Sequence, residues 1–142
     1  MYSAGTQLFV TSMLVILLIA LINGWCMGAG PDGVYYLNFA GPPVQCIVVA
    51  VWEPTEPPFI GYSVSCSSLA AVSSSMLKIH PLDYPYFIDP SSHGDYRHFI
   101  QMINNHFGIH AEGSLHEFTF DESANTLSSS FLNQTVVMRH LK

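Results

Sequence analysis

VQCIVVAVWEPTEPPFIGYSVSCS, residues 44–67, reads as two strands, Val44–Trp52 and Phe59–Ser67, joined by a proline-rich turn. Side chains alternate along a strand. Folding the arms back so that Cys46 faces Cys66 therefore also sets Val48 opposite Val64, Ala50 opposite Tyr62 and Trp52 opposite Ile60, all on one face. Behind Phe59, the other face of the second arm carries Gly61, Ser63, Ser65 and Ser67 and is suited to water. A single register thus gives a uniform apolar face and a facing cysteine pair.

Upstream of this hairpin, Gly30–Pro31–Asp32–Gly33 is a turn signal. Val34–Phe39 follows as a strand and ends at Gly41–Pro42–Pro43. Downstream, Leu69–Ile79 has no clean period and is taken as a strand. His80–Pro90, with three prolines and three aromatics, is taken as an extended loop, because proline removes ladder donors and discourages helix. Ser92–Phe107 is the one helical pattern: Tyr96, Phe99, Ile100, Ile103 and Phe107 fall on one stripe. Ser92 and Asp95 approximate a capping box at its start, and Gly108 stands at its end. Leu115–Phe120 reads as a strand, Asp121–Asn125 as a turn, and Thr126–His140 as strand-like. Strands, one helix, then strands predict an α+β fold, a small antiparallel sheet built around a disulfide-linked hairpin with one packed helix. An all-β sandwich with a small helix is the alternative.

The chain has 142 residues, 49% hydrophobic and 10% charged, which suits a single folded domain rather than a disordered chain. Its formal net charge is −6, and Lys78, Arg97, Arg139 and Lys142 are its only strong cations. They cannot assemble the basic patch that a nucleic-acid partner demands. Leu8–Ile22, LFVTSMLVILLIALI, carries no charge. As a helix it would cover roughly 22 Å, short of a bilayer core of about 30 Å, and this suits the apolar core of a secretory signal peptide. Residues 1–28 are therefore expected to be a signal peptide, with cleavage after Gly28, or else an uncleaved signal anchor. Residues 29–142 are expected to form one extracellular or lumenal domain. Removing the signal takes Cys26 and leaves Cys46 and Cys66 as a pair that an oxidising compartment would close. Its loop of about twenty residues is worth roughly 3 kcal/mol in the chain-entropy picture.

The candidate chemistry is sparse. His98 and His106 share the helix but stand about 12 Å apart along its axis, too far for one metal. His106 and His110 straddle the expected helix end at Gly108, and His116–Glu117 lacks a second histidine four residues on. His80, His93 and His140 complete a set read as surface histidines of ordinary pKa. Ser91, Ser92, His93 and Asp95 contain triad residue types but are too close in sequence to converge from separate elements. No phosphate loop or dinucleotide fingerprint occurs, so no cofactor and no metal is expected. Asn133–Gln134–Thr135 is the one N-glycosylation sequon.

These readings converge on a small secreted, disulfide-bonded glycoprotein that acts by binding a protein partner, without catalysis. A type II membrane-anchored lumenal protein and a secreted histidine-dependent hydrolase are the alternatives. The partner is expected at the hairpin tip, Glu53–Pro58, whose prolines restrict its conformations, with Trp52, Glu53, Glu56 and Phe59 as contacts. Trp52 as a core residue is the competing reading, with the site then sought around Tyr84–Phe87. One measurement checks export, bonding and glycan together. The intact mass of the protein released by secreting cells should correspond to a chain starting near Ala29, two hydrogens light for one disulfide and heavier by one glycan. An intact Met1 or Tyr2 on a cytosolic product would contradict export.

Overall fold

The computed structural model of the chain describes residues 30–41, 44–80 and 85–142. The expected signal or anchor, its cleavage site, Cys26 and Tyr84 lie outside the described residues.

The hairpin forms as its alternation dictates. Strands β2 (Val44–Glu53) and β3 (Phe59–Cys66) pair antiparallel, with Cys46 opposite Cys66, Val48 opposite Val64, Ala50 opposite Tyr62 and Trp52 opposite Ile60. Cys46 and Cys66 are joined as a disulfide. On the other side of β2 lies β1 (Gly33–Gly41), in register from Gly33 opposite Trp52 to Gly41 opposite Val44. The expected single strand over Leu69–Ile79 is two short ones, β4 (Val72–Ser73) and β5 (Leu77–His80), both paired with β3. The register slips by one between them, so Ser74–Met76 bulges. A Cβ at Gly61 would lie 2.6 Å from the Met76 sulfur, which rests on the outward side of β3. Part of the expected loop over His80–Pro90 is ladder as well: β6 (Tyr86–Ile88) pairs with β5 and with β7 (Glu117–Asp121). The strand-like run from Thr126 is a hairpin of β8 (Thr126–Phe131) and β9 (Gln134–His140).

Each strand pairs with the next one along, except that β3 pairs with β5 as well as with β4 and β4 goes no further, and β9 returns to β1 through Tyr35 opposite His140 and Tyr36 opposite Arg139. The backbone hydrogen bond from the Leu141 N–H to the Val34 carbonyl extends that seam. The sheet is therefore a closed antiparallel barrel of eight strands with β4 as an extra strand. This corrects both fold expectations. There is no small open sheet covered by a helix, and there are not two sheets face to face; one sheet closes on itself and encloses its own core. The seam joins residues about a hundred positions apart, and no local pattern announces it.

Helix α1 (His93–Phe107) follows a short 3-10 turn, Pro90–Ser92, and ends at Gly108 with φ 66°, the left-handed turn that glycine adopts without strain. Its stripe of Tyr96, Phe99, Ile100 and Ile103 is buried. The capping box is not formed: the Ser92 hydroxyl accepts the Lys78 N–H of β5 at 2.9 Å and so ties the helix start to the barrel wall.

Eight strands leave a lumen that side chains just fill, and aromatic rings fill it here. Trp52 meets Tyr86 and Phe118 edge-on at 5.2 and 6.3 Å, Tyr62 stacks on Phe99 at 5.6 Å, and Phe39 meets Phe131 at 5.1 Å. Trp52 is 3% exposed. Trp52→Ala should therefore lower stability by about 3–5 kcal/mol in denaturant titration, whereas Phe59→Ala, at a half-buried outward position, should lower it by far less. Equal losses would contradict the inward placement of the indole.

Candidate functional site

The outward side of β9, β1, β2 and β3 forms a grid. Val34 stands beside Val51, Tyr36 beside Val49 and Asn38 beside Ile47. Towards β9 the same rows continue to Leu141, Arg139 and Val137. Towards β3 they continue to Gly61 beneath Met76, to Ser63 and to Ser65. Ile47 is 54% exposed, Leu141 55%, Val137 49%, Val51 and Met76 39% each, and Tyr36 36%. Among the described residues of this grid, Arg139 is the sole charged side chain.

The opposite half of the barrel is chemically different. Glu117, Thr119 and Asp121 of β7 and Ser128 and Ser130 of β8 face outward, and Glu117, Thr119, Ser128 and Ser130 line, with His116 and Thr135, a shallow groove of about 450 Å³. At one end of this groove the Nε2 atoms of His93 and His116 lie 3.1 Å apart. The Tyr96 ring packs edge-on against His116 at 5.1 Å. At that separation one ring donates its N–H to the bare nitrogen of the other, so the two rings cannot both carry a proton on the facing nitrogen. Burial, and then the proximity of His93, lower the His116 pKa, with Glu117 opposing. Burial pushes the Tyr96 phenol up to about 12, and its hydroxyl donates to the Ser114 carbonyl at 2.7 Å. His93 is the first residue of α1. Among the described residues, no group of three or more His, Cys, Asp or Glu gathers to hold a metal.

A second polar cluster joins His80, Asp89 and Ser91. The Asp89 carboxylate accepts from the Ser91 hydroxyl at 2.6 Å and the Ser91 N–H at 2.9 Å, and lies 3.2 Å from His80 Nδ1. Those contacts, the Ser91 hydroxyl first, hold its pKa well below the usual carboxylate range. The residue types are those of a hydrolytic triad, but their order is wrong. The carboxylate sits between hydroxyl and imidazole, whereas nucleophile activation needs the imidazole in the middle. The Ser91 proton is directed to Asp89 and the serine is not primed for attack.

The partner-contact residues expected from sequence are separated by the fold. Trp52 points into the lumen; Glu53 and Glu56 are exposed on the hairpin tip, and Phe59 is half-buried beside it. Cys46 and Cys66 are buried. Asn133 is exposed in the two-residue turn between β8 and β9, where Leu132 and Asn133 have φ 48° and 61°, the paired left-handed conformation of a tight hairpin. Of the seven histidines expected at the surface, His98, His106 and His110 are exposed, whereas His80, His93, His116 and His140 are half-buried. The outer wall went unread, although its signal was present. Ile47–Val48–Val49–Ala50–Val51 is continuously apolar, the mark of a strand that is apolar on both faces.

Comparison of the chain with protein-family models, with curated proteins and with solved structures finds no match. No helix among the described residues is long and apolar enough to cross a membrane. Function is therefore argued from these surfaces.

The His93–His116 contact has a pH consequence. A histidine whose folded pKa lies below its unfolded value of about 6.5 favours the folded state fully above that value and progressively less as pH falls toward the lowered one. Melting temperature should therefore fall as pH drops from about 7.5 to about 5.5, a window above the one in which the lowered carboxylates Asp89 and Asp121 act. His116→Gln should flatten this part of the profile. An unchanged slope in that variant would assign the loss to other groups.

Proposed function

We propose that this chain is an exported, disulfide-bonded binding protein, glycosylated at Asn133, whose outer wall on β9, β1 and β2 docks another protein. The observation that carries this reading is the asymmetry of the barrel surface: among the described residues, one wall is apolar with Arg139 as its single charge, and the other is rich in hydroxyls and carboxylates. A contiguous exposed apolar patch of several side chains is what protein docking faces present. The lumen is filled by Trp52, Tyr62, Phe99 and Phe118, so recognition falls to the outside. The Cys46–Cys66 bond is consistent with an oxidising compartment, and the apolar run Leu8–Ile22 supports entry into it. Exposure of Asn133 on a turn supports access by the glycosylation machinery. The hairpin tip, with Glu53 and Glu56, lies at one end of this wall and offers a negative rim.

The test places a photo-cross-linking amino acid at Ile47, on the wall, and at Ser128, on the opposite half, in cells exporting the full chain. A discrete protein adduct from position 47 and none from position 128 is the expected result. No adduct from position 47, or equal adducts from both, would overturn the assignment of the wall.

A further inference from the structure

We infer that His93 and His116 together form a binding site for a divalent transition-metal ion of the class of zinc, and that the bound ion clips the start of α1 to the segment entering β7. The site lies in the polar half of the barrel and does not rest on the reading of the outer wall.

Geometry is the first argument. Two imidazole nitrogens that share one ion at about 2.0–2.1 Å stand roughly 2.9 Å apart when their bonds meet at a right angle, and roughly 3.3 Å apart at the tetrahedral angle. The Nε2 atoms of His93 and His116 are 3.1 Å apart, between those limits. Their ring centroids are 5.2 Å apart, so both rings turn their Nε2 edges toward one gap. A single proton or a single metal ion can occupy that gap. The ion takes the place of the hydrogen bond, with both facing nitrogens bare. Two elements supply them: His93 opens α1, and His116 stands just before β7, 23 positions along the chain. No local spacing announces the pair, because the fold alone brings it together.

Access and donor chemistry are the second. Both rings are half-buried at one end of an open groove, so water and ions reach them. Glu117, next after His116, lines that groove with the hydroxyls of Thr119, Ser128 and Ser130. These oxygens suit the waters that fill the ion's remaining positions. Imidazole donors select zinc, copper and nickel over magnesium and calcium, which take oxygen ligands. Two protein ligands fall short of the three or four that hold a resident zinc, so occupancy follows the ambient concentration of the ion. Helix α1 is already tied at its start by the bond from the Lys78 N–H to the Ser92 hydroxyl. The ion adds a second tie, and an ion that binds only the folded chain raises its stability by mass action.

The experiment is calorimetric titration of the exported full chain, first freed of metal by a chelator, with zinc chloride and separately with magnesium chloride. Melting temperature and the histidine ring-proton NMR spectrum are followed alongside. The variants are His93→Gln and His116→Gln, with His98→Gln and His110→Gln as controls at exposed histidines. The expected result is one zinc per chain, a melting temperature that rises with zinc, and no response to magnesium. Each substitution in the pair should weaken zinc binding at least tenfold, and each control by less than about twofold. In the wild-type chain, zinc should shift the ring protons of His93 and His116 before those of the other histidines. Melting temperature without metal shows which variants fold; the wild-type spectrum carries the test if His116→Gln does not. No zinc binding up to millimolar concentration, zinc binding that survives either substitution in the pair, or ring shifts confined to other histidines would overturn the site. Equal losses in the pair and the controls would show zinc held loosely by surface histidines and would overturn it as well. An equal response to magnesium would assign the ion to carboxylates and likewise overturn it.

Discussion

The Tyr62 side chain is the contact on which the parts of this barrel meet. Its ring stacks on Phe99 of α1 and, at 6.2 Å, on Phe118 of β7, while its hydroxyl donates to the Leu115 carbonyl at 3.0 Å. Strand β3, the helix, and the segment leading into β7 are thereby fixed by one residue. Complete burial, with Tyr96 adding to it, pushes the phenol well above its ordinary pKa, so the group stays neutral and its hydrogen bond stays made. A buried hydroxyl in this position defines orientation as well as contact, because the Leu115 carbonyl would otherwise go unpaired in a dry interior. Tyr62 is placed there by the register that sets Cys46 against Cys66.

The legible parts of the chain were those whose information is local. The β2–β3 register follows from alternation and the cysteine pair, and the stripe from Tyr96 to Ile103 and the Gly108 stop follow from helical spacing. What escaped was set by distant partners. The β1–β9 pairing joins Tyr35 to His140, and nothing within either segment names the other. Ser92 looks like a helix cap and instead accepts from Lys78, because the tertiary partner outcompetes the local one. The Leu69–Ile79 run lacks a period because a bulge shifts the face on which its side chains emerge. Of the candidate surface, the tip carboxylates were legible. Trp52 was ambiguous because a tryptophan next to a turn can face either way, and alternation sends this one inward.

The two halves of the outer surface use the same backbone for different ends. On β7 and β8, outward hydroxyls and carboxylates keep the sheet wet. Within that half the histidine pair and the Asp89 cluster are held by short internal contacts that leave little reactive capacity. On β1 and β2, valine and isoleucine occupy outward as well as inward positions. β-branched residues suit a strand on either face, so the wall is locally consistent with its secondary structure while being inconsistent with simple solvation. That mismatch is where this molecule departs from what folding requires.

The seam between β1 and β9 also orders events in time. Neighbouring hairpins can form as soon as both arms exist, but β1 lacks its second partner until residues 134–141 have been made. At synthesis rates of about 5–20 residues per second, the first strand waits roughly 5 to 20 s for the last. During that interval an apolar strand has one edge bare, the situation in which chains pair with the wrong neighbour. The seam closes through Tyr35 and His140, whose rings meet at 5.2 Å, and through the Leu141–Val34 backbone bond of 2.7 Å. Holding back residues 133–142 therefore holds back closure of the whole barrel, and a chain broken off before them has a ring that is still open.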